Sequence, residues 1–510
     1  MMISPAKWLA GGLGWVAAAA LAGGLEWNQF RGPNGSGVAP KARPPLALDD
    51  AHRAWQTDLP PGLSSPVLAG DRLFLTGVEE RRLVTLAFAR ADGRLRWRRR
   101  APDVPLERVH RTSSPAASTP CVDERRVYVY FGSYGLLCYD HEGREQWRRA
   151  IPTPKNLYGM ATSPIRYRDL LILVLDNEAN LPGSKLSQSK VVAFRAATGE
   201  PVWETPRPLV RSGWSTPMIW RHAQGRDLVV LGSRRVYGYD PDTGAEQWFV
   251  TGFSRETIAV PVAGLGHVHV SSAMLGGVPD AQPDPEPFWQ AVLRFDANGD
   301  GRLGRDEMTR DFSFPLRPEL AVGQPGFGLP LPDDPGRRKK RQADIFAGVD
   351  KNHDGFWTRE EFLAGMTFRR AKPRLLAIRP GGRGDVSDTH VVWRLNRSIP
   401  EIPSPLFYQD RLYLVRNGGG LAAVDAREGK IIYRERLNAP GQYSASPVVA
   451  RDHLYLFSQR GVASVVKTGD AFQLVWQGDL GEPVFVTPAL AGRTIYVRTK
   501  TQLKAFRNRE

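Results

Sequence analysis

The sequence predicts an all-β fold, an eight-bladed β-propeller closed by the N-terminal strand, with a small α-helical EF-hand pair inserted in blade five. Three observations predict it. Small-residue-plus-proline steps recur along the chain, a short strand-forming run follows each, and turn cassettes ending in an aromatic residue close most of the units. The clearest cassette is YDPDTGAEQW, Tyr239 to Trp248. An apolar strand ends in Tyr-Asp, the Asp-Pro-Asp-Thr-Gly run turns the chain through a glycine free to take positive φ, and a new strand begins before Trp248.

The openings stand at Ser65-Pro66, Thr119-Pro120, Ser163-Pro164, Thr216-Pro217, Ser404-Pro405, Ser446-Pro447 and Thr487-Pro488, with Val260-Pro261 as a degenerate eighth. Runs such as RLFLTG, RVYVYFGS, LLILVL and RLYLVRN follow, rich in β-branched and aromatic residues. The closing aromatics are Trp97, Trp147, Trp203, Trp248, Trp393, Tyr433 and Trp476. The proline spacings are 54, 44, 53, 44, 144, 42 and 41 residues, and all but one lie near the period of a four-stranded propeller blade. The last opening has only 22 residues after it, room for three strands and no closing tryptophan. Trp55, ahead of the first opening, supplies it. The N-terminal strand would then complete the last blade and remove two exposed sheet edges. A linear β-solenoid needs no such exchange, so the ring is preferred.

Composition sets the outer bounds. The 510 residues, 42% hydrophobic and 24% charged, are globular in character, and the net charge of +16 favours anionic surfaces or polymers. The basic runs Arg96–Arg100 and Arg337–Arg341 are short and separated and lack any nucleic-acid-binding signature, so they read as solvated surface. Lys7 precedes an uncharged apolar stretch, Trp8–Ala22, ending in Ala-Leu-Ala, the pattern of a cleaved signal peptide at 1–22. The mature chain is expected to be exported, periplasmic or extracellular, without a transmembrane span. Cys121 and Cys138 fall in the first and third strands of one unit, about 9.6 Å apart at ordinary strand spacing, too far for a bridge. Two buried free thiols are expected.

The D-x-x-T-G-x-x-x-W pattern of DPDTGAEQW, looser in RAATGEPVW and REGKIIY, resembles the tryptophan-docking repeat of the quinoprotein dehydrogenase-like superfamily. The resemblance covers about residues 51–284 and 370–510. It implies a fold shared by pyrroloquinoline quinone (PQQ)-dependent alcohol dehydrogenases and by a non-enzymatic outer-membrane assembly lipoprotein. Its tryptophans are expected between blades, as structure. The leading segment WNQFRGPNGSG, Trp27–Gly37, is similar to the start of many exported PQQ-repeat propellers; without a following Lys-Ser or Lys-Thr it is no phosphate loop, and it is expected as an arm, within 23–50, covering the ring's edge.

The long interval carries the sharpest chemical signal. DANGDGRLGRDE, Asp296–Glu307, and DKNHDGFWTREE, Asp350–Glu361, both fit the twelve-residue EF-hand loop. The first would bind Ca2+ through Asp296, Asn298, Asp300, the carbonyl of Arg302 and a bidentate Glu307. The second would use Asp350, Asn352, Asp354, the carbonyl of Phe356 and Glu361. Position eight is apolar in both, Leu303 and Trp357, as back-to-back pairing requires. PFWQAVLRF, RDEMTRDF, RQADIFAGV and TREEFLAGM read as flanking helices, and Pro315–Gly336 as a flexible or extended linker. The insertion is placed at 285–369, between propeller segments 51–284 and 370–510.

Two function classes follow. One is an exported calcium-binding scaffold, expected as a monomer, whose partner is an envelope or extracellular protein or an anionic ligand and not specific nucleic acid. The other is a PQQ-dependent oxidoreductase acting on an alcohol or sugar, with the quinone at the axis. His110, Arg111, Ser113, Tyr158, Trp214 and Tyr443, on connections before first strands, are the candidate axial groups. The resemblance implies a vicinal disulfide and a base carboxylate for that chemistry, and the sequence has no adjacent cysteines and no assignable base. Catalytic residues are therefore left unassigned.

Overall fold

The computed structural model describes residues 27–509 except 157, 185, 212, 274–284, 316–317, 319, 325–326, 367–371 and 440, so the expected signal peptide lies outside the described residues. Eight four-stranded antiparallel sheets follow one another in chain order, two of them extended by a short parallel fifth strand. The first strands of blades one to eight begin at Val67, Cys121, Ile165, Met218, Val262, Leu406, Val448 and Ala489. Each directly follows its opening proline, whose missing N–H suits the residue just before a sheet. The last blade takes its fourth strand from the other end of the chain: Arg53–Asp58 pairs antiparallel with Gln502–Arg507, placing Trp55 opposite Ala505. The ring closes as the offset of its cassettes predicts.

The inner strands are almost wholly apolar and buried, as in LLILVL of Leu170–Leu175. Outer strands alternate and carry charge: Leu95–Arg100 buries only Trp97. The basic run there guards a sheet edge against pairing with another chain. At the turns, Trp55, Trp97, Trp147, Trp203 and Trp393 each lie under the glycine of the next blade's turn. Trp97 donates from Nε1 to the His141 carbonyl at 2.8 Å and Trp147 to the Ala196 carbonyl at 3.0 Å. Trp248 departs from this pattern and bonds Asp227 of its own blade at 2.8 Å, because blade five has no Thr-Gly cassette to receive it. That blade instead lends Gly384–Asp385 as a fifth strand alongside Trp248 and Phe249.

The insertion leaves blade five between its second strand, His267–Ser272, and its third, Arg374–Ile378. It contains helices α1 (Glu286–Val292), α2 (Pro335–Val349) and α3 (Arg359–Met366) around its own core of Trp289, Phe312, Phe346, Trp357 and Phe362. The helix expected over RDEMTRDF is replaced by turns, because Phe312 and Phe314 are drawn into that core and Pro315 ends any helix. The expected extended linker also folds back: Ser313–Pro315 pairs with Gly328–Pro330, and Leu320 and Phe327 are buried.

Candidate functional site

The opening residues meet at the propeller axis and bond one another. Each backbone N–H donates to the hydroxyl of the next blade's opening residue: Ser65 to Thr119 at 2.9 Å, Thr119 to Ser163 at 3.0 Å, Ser163 to Thr216 at 3.1 Å, Val260 to Ser404 at 2.9 Å, Ser404 to Ser446 at 3.0 Å and Ser446 to Thr487 at 3.0 Å. The ring breaks at Val260, which has no hydroxyl to offer Thr216, and at Ser65, whose buried Oγ has no partner.

The N-terminal arm lies along this axis and not, as the sequence suggested, at the ring's edge. The carbonyls of Trp27, Asn28 and Gly37 accept from Leu68, Val122 and Val449, at 2.8, 2.8 and 2.9 Å. Asn34 clasps the Ile219 backbone with both side-chain ends, at 2.7 and 2.9 Å. Each of these partners follows its ring residue by three positions, so the arm crosses about 10 Å down the first strands. Arg31, fully buried, donates from Nη2 to the Pro405 carbonyl at 2.8 Å, and burial lowers its pKa to about 9. Positive φ at Arg31, Gly32, Asn34, Gly35 and Gly37 lets the segment coil so tightly. The arm was expected but its place was not, because its partners are scattered from blade one to blade seven and nothing local in WNQFRGPNGSG signals a set of distant backbone groups.

On the other face, the connections leading into the first strands bring together three of the six candidate groups. Tyr158 meets His110 edge-on at 4.8 Å between ring centroids and Trp214 at 5.2 Å. Arg111 is exposed and Ser113 half-buried, while Tyr443 is fully buried, bonded to the Ala439 carbonyl, and does not reach the funnel. Glu107, which the sequence reading passed over, sits beside this aromatic group. Its Oε2 accepts from the Met160 N–H at 3.1 Å and burial raises its pKa to about 7. No motif marks it; the shift comes from burial under neighbours remote in sequence. Deeper lies the ion pair of Arg207 with Asp176, 2.6 Å apart and sealed from solvent, where burial raises the aspartate to about 6 despite its partner.

The two acidic loops stand back to back. Leu303 pairs with Trp357 and Gly304 with Phe356 in an antiparallel two-residue bridge. Glu307 folds across its loop, its Oε1 accepting from Ala297 at 2.8 Å and its Oε2 from Gly304 at 2.7 Å. Glu361 repeats this with Lys351 at 3.1 Å and Thr358 at 3.2 Å. Burial pushes Glu361 upward, and the bonds from Thr358, Lys351 and Asn352 outweigh it and hold the carboxyl below its ordinary range. Asp300 is lowered by the Arg302 N–H above all. Gly301 and Gly355 take φ of 79° and 87° at the sharp turns. Asp350 is 6% exposed, and its Oδ1 has no hydrogen-bond partner. Among the described residues, no group of three His, Cys, Asp or Glu side chains is gathered as a metal cluster.

Cys121 and Cys138 are free and buried, with Tyr128 on the strand between them, and burial raises the Cys121 thiol to about 12. Two surface cavities of about 240 and 530 Å³ lie away from the axis, one lined by Leu48, Asp49, Arg53 and Asp479, the other by Glu80, Arg82, Asp103 and Leu106. No helix among the described residues is long and apolar enough to cross a membrane.

Eight blades, tryptophan-docked turns and a strand exchanged between the chain ends define a closed propeller of the PQQ-repeat class. Within that class, the chain belongs to the family described as outer membrane protein assembly factor BamB (PQQ_2), whose model matches residues 43–248 and 382–510, about two thirds of the sequence. The break between the two matched parts contains the insertion. Among solved structures it is similar to BamB from Moraxella catarrhalis, at 8% identity over 90% of this chain and 98% of that one, with a TM-score of 0.50. It is also similar to the quinohemoprotein alcohol dehydrogenase ADHIIG from Pseudomonas putida HK5, at 12% identity, 94% and 80% coverage and a TM-score of 0.52. A europium-containing methanol dehydrogenase gives 10% identity, 94% and 98% coverage and a TM-score of 0.51. At these identities the likeness is one of fold alone. No curated protein matches the sequence.

Proposed function

We propose that this chain is an exported, calcium-binding propeller that acts as a non-catalytic binding or scaffolding protein at the cell envelope. The observation that carries the scaffold reading is the arm on the axis. Trp27, Arg31 and Asn34 take up the middle of the ring with backbone bonds to several blades, so the ring is braced across its centre and its loop faces are left to meet a partner. Membership of an outer-membrane assembly family supports an envelope location. An envelope or extracellular protein is the partner expected, with the chain acting as a monomer.

Calcium binding rests on the insertion. Asp296, Asn298, Asp300, the Arg302 carbonyl and Glu307 would hold one ion, and Asp350, Asn352, Asp354, the Phe356 carbonyl and Glu361 a second. The fit is supported by the unpartnered Oδ1 of Asp350, by the two carboxylates folded across their loops, and by the bridge that couples the loops. The ions would supply rigidity to the module. Calcium titration of the melting curve tests this: the module's transition should rise with calcium in the natural chain and stay flat in the Glu307→Gln, Glu361→Gln variant. A calcium-insensitive melt with both glutamates intact would sink the reading.

A second reading, PQQ-dependent oxidation of an alcohol or sugar, draws on one observation, the carboxyl of Glu107 raised to about 7 beside His110, Tyr158 and Trp214. The residues present fit the quinone poorly, since the cysteines stand on alternate strands and the arm fills the middle of the axis. Adding PQQ and following absorbance, melting and dye reduction separates the two readings. Turnover that disappears in Glu107→Gln would favour the oxidoreductase.

A further inference from the structure

The start of α2 places charge where a helix least accepts it. Arg337, Arg338, Lys339, Lys340 and Arg341 follow one another within its first two turns, and no acidic residue stands in the first turn. The positive end of the helix dipole lies there too, so the cations oppose the helix they belong to. Only Asp334 at the N-cap, accepting from the Arg337 N–H at 2.8 Å, offsets them. Four of the five are exposed, none of the five forms an ion pair among the described residues, and Arg338 reaches only the Asp333 carbonyl at 3.1 Å. The other half of α2 is anchored: Phe346 and Val349 are buried in the insertion's core, and Asp350 caps the helix as the first residue of the second acidic loop.

The preceding segment adds apolar surface. Val322 is 41% exposed and Leu329 is 45% exposed, both in the same module. Cations alone would suit any polyanion. Exposed cations and exposed aliphatic side chains in one module suit a lipid interface, where headgroup phosphates take the charge and the acyl boundary takes the methyl groups. Five consecutive residues also distribute charge right round the helix, which favours a diffuse anionic surface over a fixed groove.

We propose that the insertion is a calcium-gated anchor that docks the propeller on an anionic lipid surface through Arg337–Arg341, with Val322 and Leu329 at the interface. The gating rests on the calcium reading above. Asp350 joins loop to helix, so an ion there would fix the direction in which the cationic turns project. Two bound ions would also offset the acidic loop side chains of the same module, and the module's attraction to anionic headgroups would rise.

The test is co-sedimentation of the full mature chain with vesicles of phosphatidylcholine alone or mixed with phosphatidylglycerol, in calcium or in chelator. The natural chain should pellet with the mixed vesicles in calcium, and release in high salt. Replacing all five residues, Arg337→Gln, Arg338→Gln, Lys339→Gln, Lys340→Gln and Arg341→Gln, should weaken binding about tenfold or more with melting unchanged. Equal binding by that variant, equal binding to uncharged vesicles, or stronger capture by a DNA oligonucleotide than by lipid would overturn the anchor. In Glu307→Gln, Glu361→Gln the calcium enhancement should vanish. If it persists while calcium still raises the natural chain's melting, the ions bind and the gate is wrong. If calcium leaves the natural melting unchanged, the calcium reading has failed, and the five-residue variant in chelator decides docking alone.

Discussion

The Val260 N–H donates to the Ser404 hydroxyl at 2.9 Å across 144 residues of chain. That bond is as short as its counterparts between blades without an insertion, such as Ser65 to Thr119 at 2.9 Å. The insertion therefore departs and returns without disturbing the axis. Loop-closure entropy rises only with the logarithm of length, and a long excursion with a core of its own is tolerated. The Ser/Thr-Pro step unites two requirements: the proline ends the incoming connection, and the hydroxyl before it satisfies a neighbour's buried N–H.

Ser404→Ala leaves the buried Val260 N–H without its acceptor. The loss of one satisfied buried bond is expected to reduce stability by about 1–3 kcal/mol, measured by denaturant unfolding. Ser65→Ala is the comparison. The Ser65 hydroxyl has no partner, so its removal should change stability by less than about 0.5 kcal/mol. Equal losses at the two positions would contradict the bonding order round the ring.

Gly199→Ala should be among the most damaging single-methyl additions. Gly199 has φ of 73°, and a Cβ there would stand 2.5 Å from the Trp147 ring, so both backbone and packing oppose it. Gly266 has φ of 75° and nothing within 4 Å of the added carbon. Gly266→Ala isolates the backbone term, about 1 kcal/mol, while Gly199→Ala should exceed it by about 1–3 kcal/mol as the indole is forced off its seat. Thermal melts of both variants make the comparison.

Much of this was legible because it is local and repeated. The glycine of the turn cassettes, the hydroxyl before seven of the eight opening prolines and the sharp glycine turns of the two acidic loops are all short-range patterns. What was not legible depends on distant neighbours. The arm finds its partners at Leu68, Val122, Ile219, Pro405 and Val449, and RDEMTRDF lost its expected helix to the pull of Phe312 and Phe314 into a core assembled from remote segments.

Glu107 predicts a pH dependence. Its folded pKa, about 7, lies above the ordinary 4.5, so the folded state holds the proton more tightly than the unfolded chain. Below about 4.5 both states are protonated and Glu107 contributes no difference. As pH rises through 7 the buried carboxylate must ionise, and the folded state loses on the order of 1–3 kcal/mol after discounting for partial exposure. Glu107→Gln should remove that loss: its melting curve should gain on the natural chain's between pH 5 and 8. Parallel curves across this window would exclude Glu107 as a proton-holding group.

The arm offers a contrast between two residues of one segment. Asn34 satisfies both the N–H and the carbonyl of Ile219, and Asn34→Ala strips partners from two backbone groups beneath blade four, a loss of about 2–4 kcal/mol. Arg31 makes one bond, to the Pro405 carbonyl, while its Nε and Nη1 are buried without partners. Its charge is thus taken out of water with little return, and a similarly long apolar side chain should avoid that penalty. Arg31→Met is expected to be neutral or stabilising by up to about 2 kcal/mol, so the two substitutions should move the unfolding midpoint differently although both residues lie on the axis. If Arg31→Met instead destabilises as strongly as Asn34→Ala, the guanidinium has a partner in solution that compensates its burial, and the axis is more than a mechanical brace.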